Sequence, residues 1–421
     1  MANWPAELRL ADYIRPGDTI SWSHAGAEPT TLVRQFLDQR HSYGGPVGAF
    51  LTGVSFSNIL APEHADVIRF RGIGGLTAPR ALAKAGKLET LPKRYYEFPR
   101  LIAEGLLPID VQFVTVSPPD ADGFCSLGVT VGLTNDIMAK ARVTIAEINP
   151  RMPRIPGDTK VHVDRFAAAI WSDRPLVLGP APVEDPSPSV MEICRNIAGL
   201  IGDDATVQIG IGSIGVMLPK MLMDRRDIGI HSAILTDGLM DLVEAGVATG
   251  RSKRVDTGIA VAGELVGTER LYAFADGNER VALRGTSYVL SPDTFAGLDR
   301  LVSVNSALEV DLSGQVNAET LGGVNVGAIG GQVDFVRGAS RSPGGASIIA
   351  LQAVAGNGKS RIVSRLADGV VTTARSEVGF IITEYGVADL RAKTVSERAE
   401  ALAAIAHPDH RAALLRDLAE G

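Results

Sequence analysis

Residues 205–238 read ATVQIGIGSIGVMLPKMLMDRRDIGIHSAILTDG. The β-prone residues 206–209 run directly into Gly210, Gly212 and Gly215, after which apolar residues recur at helical spacing. This pattern predicts a strand, a glycine turn and an amphipathic helix. Glycines let the backbone approach a ligand closely, and a helix N-terminus presents unpaired N–H groups to an anion or a developing oxyanion. Gly210 and Gly212 are therefore candidate oxyanion-binding residues.

The same glycines also match G-x-G-x-x-G, the fingerprint of dinucleotide-binding proteins. That fingerprint needs an acidic residue at the end of a second strand, about 20 residues further on. Asp227 precedes the apolar segment 229–234, and Asp237 follows it within a TDG turn. The misplaced acidic partner argues against a nicotinamide enzyme.

Composition limits the class of protein. The chain has 421 residues, 45% of them hydrophobic, which allows two or three domains with large cores. A net charge of −7 with scattered basic residues argues against a nucleic-acid partner. The seven histidines show no metal-ligand spacing. Without an apolar leader or a run of 18 apolar residues, we expect a cytoplasmic protein with no membrane partner. We expect Cys125 and Cys194 to be packed side chains.

Strands and helices alternate along both halves of the chain. In the first half, strands are predicted at 19–22, 47–51, 67–71, 111–116 and 143–148, with helices at 8–14, 32–37, 79–85 and 98–104. Thr30 or Thr31 is the expected cap of the second of these helices. The alternation predicts an α/β protein with a mainly parallel sheet flanked by helices.

A proline-rich segment separates two halves of similar style. Five prolines lie between residues 172 and 190, with acidic residues and little periodicity. We interpret this segment as an interdomain linker, giving an N-terminal α/β domain at 1–185 and a C-terminal one at 190–421. A helix at 190–201 then leads back into the glycine turn.

Two further loops carry alternative interpretations. Residues 117–128, SPPDADGFCSLG, form either a structural turn or a ligand-facing loop at a strand terminus. Residues 353–360 approach the phosphate-loop pattern, but Ala353 replaces the leading glycine and we reject that reading.

Taken together, several ordered motifs resemble the acetyl-CoA hydrolase/transferase family, typified by 4-hydroxybutyrate CoA-transferases of the class I CoA-transferase fold. The motifs are SPPDADGFCSLG at 117, VQIGIGSI at 207, GIHSAILTDGLMDLVEAGV at 229, NSALEVDLSGQVNAE at 305, GGQVDFVRGA at 330, ITEYGVADLR at 382 and IAHPDHR at 405. The resemblance implies two similar open α/β domains with the active site in the cleft between them. It also implies an acyl-CoA substrate and a homo-oligomer, expected to be a dimer.

In transferases of this family, a glutamate of a His-Thr-Glu-Met type motif attacks the thioester and later carries CoA to a second carboxylic acid. A carboxylate suits this role because it is ionised at neutral pH. The matching motif here is His-Ser-Ala-Ile, which places Ala233 at the nucleophile position. Leu290 replaces an asparagine of a Tyr-Val-Asn-Asp-Pro type motif, and Ala328 replaces the first glycine of a Gly-x-Gly-Gly turn that continues with Gly330 and Gly331. Three such changes indicate natural divergence.

Among the remaining carboxylates, Glu384 is the leading general-base candidate. It follows the apolar residues Ile381 and Ile382, so it ends a buried strand where a carboxylate is costly without a partner or a task. In relatives this glutamate lies near the thioester site. The alternative is a structural salt bridge to Arg375 or Arg391. By their spacing, Asp241 and Glu244 are helix-surface or cap residues.

The resemblance and the missing glutamate together predict an acyl-CoA hydrolase that cleaves a thioester or the carbon–carbon bond of an oxo-acyl-CoA. Coenzyme A enters as the acyl-CoA substrate, and no metal is expected. The candidate oxyanion- and CoA-binding residues are Gly210, Gly212, Leu290, Ala328, Gly330 and Gly331. Two alternatives stay open: a CoA-transferase that uses another carboxylate together with a small carboxylic acid, and a non-catalytic acyl-CoA-binding protein.

Overall fold

The computed structural model describes residues 4–180 and 186–420. The chain divides into two compact units. The first comprises Met1–Ala181, Val261–Val289 and Asn325–Ala328, and the second comprises Pro182–Ala260, Leu290–Val324 and Ile329–Gly421. Each unit contains a mainly parallel sheet with helices, so the predicted α/β fold class is confirmed. The assignment of 1–185 and 190–421 as domains stays a prediction, and residues 181–185 of the expected linker lie outside the described residues.

The first unit is built on a seven-stranded parallel sheet. From edge to edge its strands are Leu88–Thr90, Ile68–Gly72, Val47–Leu51, Thr19–Trp22, Val111–Val116, Val143–Ile148 and Ala168–Trp171. Its α-helices are Thr30–Asp38, Arg80–Lys84, Phe98–Ala103, Thr134–Lys140, Glu269–Ala275 and Thr286–Val289, and shorter strands lie at Phe124–Ser126, Lys160–His162, Ala260–Ala262, Glu264–Leu265 and Val281–Leu283. The two central strands are buried along almost their whole length. This burial agrees with the mostly apolar or β-branched residues of the two strands.

A buried carboxylate, and not a threonine, caps the Thr30–Asp38 helix. Pro29 occupies the N-cap position, so the predicted Thr30 or Thr31 cap is wrong. The backbone N–H groups of Thr31 and Leu32 both donate to Glu147 Oε2 at 3.0 Å. Glu147 belongs to a neighbouring strand that is distant in sequence, and it satisfies the first helical donors and the positive end of the helix dipole.

The second unit is built on a six-stranded sheet. Its strands, in order, are Gly229–Ile230, Thr206–Ile209, Leu301–Ser306, Ala346–Ala350, Phe380–Thr383 and Gly386–Asp389, and all pairs are parallel except the last. The α-helices are Pro188–Ala198, Ser213–Met217, Asp237–Glu244, Pro292–Ala296, Gln332–Arg341, Val395–Ala404 and Pro408–Glu420. Short strands at Ile234–Leu235, Glu309–Asp311, Val316–Asn317, Thr320–Leu321, Val324–Asn325 and Ile362–Val363 decorate the connections.

Two predicted helices are shorter than expected. The helix predicted at 8–14 is reduced to a 3-10 turn at Leu10–Asp12, because the N–H groups of Leu8 and Leu10 donate to the side chains of Gln35 and Gln39. The helix after the glycine turn spans only Ser213–Met217 and continues as a 3-10 segment at Leu218–Leu222. That segment contains Pro219, which has no N–H to donate to an α-helical bond.

No helix within the described ranges is both long enough and apolar enough to cross a bilayer. In the same residues, no three His, Cys, Asp or Glu side chains converge as metal ligands would.

Candidate active site

The predicted site residues of the second unit lie at one edge of its sheet. Gly210 directly follows the Thr206–Ile209 strand, Ala233 lies three residues beyond Gly229–Ile230, and Glu384 directly follows Phe380–Thr383. These three strands run parallel, so their carboxyl ends share an edge. In open α/β sheets this edge is where ligands bind.

The glycine turn after the first of these strands requires glycine at Gly215 for lack of space and at Gly212 for its backbone conformation. A Cβ at Gly215 would lie 2.0 Å from the carbonyl oxygen of Gly210, so the two glycines are in close backbone contact. Gly212 has a φ of +108°, which only glycine adopts readily, and it is the N-cap of the Ser213–Met217 helix. The turn therefore depends on glycine at both positions.

The N–H groups of this turn are not equivalent. The Gly210 N–H donates to the carbonyl oxygen of Val304 at 3.1 Å, so it is already used within the sheet. Within residues 4–180 and 186–420, no acceptor is recorded for the N–H of Gly212. Of the two predicted residues, Gly212 is thus the one with a donor available to an oxyanion.

A second glycine turn precedes the Gln332–Arg341 helix. Gly330 has a φ of +52° and Gly331 is the N-cap of that helix. In the described part of the chain, neither N–H has a recorded acceptor. The helix connects two parallel strands, so its N-terminus lies at their carboxyl edge. Gly330 and Gly331 therefore face the same edge of the sheet as Gly212.

Leu290 packs against this second turn. It is only 2% exposed, and a Cβ added at Gly331 would lie 3.2 and 3.3 Å from its two methyl carbons. An apolar side chain there cannot donate a hydrogen bond to a ligand, although it holds the turn by packing.

Ala328, the remaining residue predicted for this turn, is grouped with the first unit. There it forms an antiparallel β-bridge with Gly74 and packs against the apolar cluster that includes Phe50 and Phe98.

Ala233 follows two buried residues at the end of its strand. His231 is fully buried and packs edge-on against Phe295, with 5.9 Å between ring centroids. Ser232 is fully buried, and its hydroxyl donates to the carbonyl oxygen of Ile209 at 3.4 Å. Ala233 itself is half-buried, and its methyl group has no nucleophilic atom. Its correspondence to the family nucleophile stays a prediction.

Glu384 is held by a backbone donor. Its Oε2 accepts the N–H of Ala353 at 2.9 Å. Of the two arginines considered as salt-bridge partners, Arg391 instead makes a bidentate pair with Asp389 at 2.8 and 2.9 Å. No ion pair of Glu384 with Arg375 or any other base is found in the described ranges. The structural salt bridge is therefore absent there, while the general-base role stays a prediction.

Two polar residues at the same edge were missed by sequence reasoning. Asn305 Nδ2 donates to Gln208 Oε1 at 3.1 Å, linking the ends of two central strands. The sequence feature that could have revealed them was an amide side chain in each of two mostly apolar strands.

Asp241 and Glu244, expected on a helix surface, lie on the Asp237–Glu244 helix, where Asp241 is half-buried and Glu244 is exposed.

The loop at residues 117–128 is a structural turn closed by its own hydrogen bonds. Asp120 Oδ1 accepts the N–H groups of Asp122 and Phe124 at 3.1 and 2.8 Å. The N–H of Ser117 donates to the carbonyl oxygen of Ser126 at 2.9 Å. These bonds give Asp120 a structural role, and the ligand-facing interpretation of the loop stays a prediction.

Comparison with known proteins identifies the class. Residues 5–184 match the model of the acetyl-CoA hydrolase/transferase N-terminal domain, and residues 267–418 match that of the C-terminal domain. The chain therefore belongs to the acetyl-CoA hydrolase/transferase family, and its members' activities make it an enzyme of acyl-CoA chemistry. The predicted family is confirmed.

Individual relatives cover nearly the whole chain. The 4-hydroxybutyrate coenzyme A transferase of Clostridium kluyveri is 38% identical over 403 residues, 94% of this chain and 93% of the relative. The crystal structure of RipA from Yersinia pestis is similar with a TM-score of 0.92 at 33% identity, covering 98% and 95% of the two chains. The 4-hydroxybutyrate CoA-transferase of Porphyromonas gingivalis gives a TM-score of 0.81 at 34% identity, covering 99% and 97%.

Proposed function

We propose that this protein hydrolyses an acyl-CoA, at the thioester or at the carbon–carbon bond of an oxo-acyl-CoA. One observation carries the proposal: Ala233 stands where the family nucleophile is expected, whereas backbone donors and a carboxylate remain at the same edge of the sheet. Hydrolysis needs a bound thioester, an oxyanion site and a positioned water, and none of these requires a nucleophilic side chain.

The chemistry follows from those groups. The N–H groups of Gly212, Gly330 and Gly331 are candidates to stabilise the thioester oxygen as it becomes negative. A carboxylate removes a proton from water, and the resulting hydroxide attacks the carbonyl carbon. The tetrahedral intermediate collapses with loss of the CoA thiolate, which takes up the proton. Glu384 is the carboxylate that sequence reasoning selects, with Oε1 as the oxygen not held by Ala353.

Coenzyme A, delivered as the acyl-CoA, is the proposed ligand in place of NAD. The acidic partner of the G-x-G-x-x-G pattern is not available, since Asp227 accepts hydrogen bonds from the Ser252 hydroxyl and from the N–H of Arg251, both on a different loop. Calorimetry with CoA and with NAD tests this directly. Micromolar binding of NAD with no response to CoA contradicts the proposal.

A second candidate function is CoA transfer through another carboxylate, and it is supported by the transferase names of the relatives. A small carboxylic acid is then a second substrate. Release of CoA thiol from a panel of acetyl-, butyryl-, succinyl- and 4-hydroxybutyryl-CoA, measured with and without added acid, separates the two activities. Strict dependence of CoA release on the acid supports transfer, and acid-independent release supports hydrolysis.

Tight CoA binding without turnover identifies the alternative of a non-catalytic acyl-CoA-binding protein. We also propose that the protein is a cytoplasmic homodimer.

A further inference from the structure

Glu319 is a buried carboxylic acid without a counter-ion in the second unit. It is 5% exposed, and its Oε1 accepts the hydroxyl of Thr372 at 2.8 Å. No donor to Oε2 and no ion pair of this side chain are recorded in the ranges that the structure describes. Burying a carboxylate with one neutral partner is unfavourable, so its presence calls for a reason.

The backbone of Glu319 is fixed by the neighbouring loop. Asn317 Oδ1 accepts the N–H groups of Glu319 and Thr320, both at 3.0 Å. Thr372 Oγ1, which donates to the carboxylate, also accepts the N–H of Ala318 at 2.8 Å. These hydrogen bonds hold the backbone at residues 318–320 and one oxygen of the Glu319 carboxylate.

The same threonine pair connects Glu319 to the second glycine turn. Thr373, adjacent to Thr372, is fully buried, and its hydroxyl accepts Gln332 Nε2 at 3.0 Å. Gln332 is the first residue after Gly331, which ends the turn with the candidate oxyanion donors. Two side-chain hydrogen bonds and the Thr372–Thr373 peptide bond thus connect the carboxyl group of Glu319 to the residue that follows that turn. Glu319 lies on the connection that leaves the carboxyl end of the Leu301–Ser306 strand.

We propose that Glu319 is the general base of this site, taking a proton from the water that attacks the acyl carbon. The inference rests on the hydrolysis proposed above. An O–H bond of water breaks as its proton moves to Glu319 Oε2, and the oxygen forms a bond to the acyl carbon. When the C–S bond breaks, the CoA thiolate receives that proton, so Glu319 is regenerated as a carboxylate.

The surroundings of Glu319 suit this role. Burial raises the pKa of Glu319 above its ordinary value, with the Thr372 hydroxyl as the only group that opposes the shift, and no charged side chain contributes. A base whose pKa is raised toward the working pH is more effective. Glu400, an exposed glutamate on the Val395–Ala404 helix, offers a control outside these contacts.

The test is the pH dependence of acyl-CoA hydrolysis in Glu319→Gln, Glu384→Gln and Glu400→Gln variants of the full chain. We expect Glu319→Gln to lower kcat by ~10²- to 10⁴-fold with little change in KM and to abolish the acidic limb of the profile. Glu400→Gln should keep the wild-type kcat and the acidic limb of the profile. Thr372→Val removes the donor that lowers the pKa, so the acidic limb should move to higher pH, whereas Thr372→Ser should keep it in place.

The outcomes separate the two proposals. If the wild-type protein releases no CoA from the acyl-CoA panel, thioester hydrolysis and its base are both rejected. If it hydrolyses an acyl-CoA and Glu319→Gln retains kcat and the acidic limb, only the assignment of Glu319 is overturned. Loss of the limb in Glu384→Gln with an unchanged limb in Thr372→Val also overturns it. Should Glu319→Gln fail to fold, the limb shift in Thr372→Val decides.

Discussion

Replacing Gly215 with alanine should damage both the fold of the second unit and its active site. The new Cβ would lie 2.0 Å from the carbonyl oxygen of Gly210. That oxygen belongs to the backbone, so the clash is relieved only if the turn opens by more than 1 Å, the shortfall from a normal contact of ~3.4 Å. Forcing such an overlap into a packed region costs about 2–3 kcal/mol.

Thermal unfolding and steady-state kinetics measure the two effects. A cost of about 2–3 kcal/mol corresponds to a Tm lowered by roughly 5–10 °C for a unit of this size. A displacement of about 1 Å at Gly212 should lower kcat by ~10²-fold. Gly202→Ala is the matched control, because nothing lies within 4 Å of its added Cβ, and it should keep the Tm and the activity. If Gly215→Ala keeps both as well, the turn does not constrain the site and the reasoning is wrong.

Three further predictions follow from other side chains. Burial lowers the pKa of Lys253 to about 8, below its unfolded value. The unfolded state therefore binds more protons between pH 8 and 10.5, and the free energy of unfolding should rise over that range by about 3 kcal/mol. Urea unfolding should show this rise in the wild type, and the same pH dependence in Lys253→Met would refute it. Burial raises the pKa of Cys125 to about 11 and that of Cys194 to about 12, so neither should react with a thiol reagent at pH 8 in the native protein, and rapid labelling contradicts this. Ala233→Glu alone should not give appreciable exchange of CoA between acetyl-CoA and a carboxylic acid. Adding Leu290→Asn and Ala328→Gly should raise the exchange rate by more than the separate changes combined. An exchange rate near that of a relative from the single change would favour a transferase that lacks only its nucleophile.

Local sequence patterns were sufficient to predict the bounds of five strands. The predicted bounds are those observed for the strands at Thr19–Trp22, Val47–Leu51, Val111–Val116, Val143–Ile148 and Thr206–Ile209. Their residues are mostly β-branched or otherwise apolar, and polar residues or glycine adjoin most of their ends. The glycine turn at 210–215 was also predictable, since only glycine accommodates its backbone.

Features that depend on distant partners were not predictable. The cap of the Thr30–Asp38 helix comes from Glu147, and the segment at 8–14 bonds to Gln35 and Gln39 instead of forming its own helix. No local pattern reports a partner more than 20 residues away. The same reason hid Glu319, whose contact with Thr372 spans 53 residues.

For the site, sequence placed Gly212, Gly331 and Glu384 on turns that the structure brings to one edge of the sheet. It did not show that the Gly210 N–H is used by Val304, nor that Arg391 pairs with Asp389 and leaves Glu384 to a backbone donor. Both are tertiary hydrogen bonds, and only coordinates reveal them.

The central claim is that acyl-CoA turnover here proceeds without a covalent CoA adduct on the enzyme. The most direct measurement combines intact-protein mass spectrometry with isotope exchange, using each acyl-CoA of the panel and its own isotopically labelled acid. The account predicts release of CoA, an unchanged protein mass after borohydride treatment, and no label in the acyl-CoA. A glutamyl-CoA adduct, together with label entering the acyl-CoA, would contradict it and establish CoA transfer through another carboxylate.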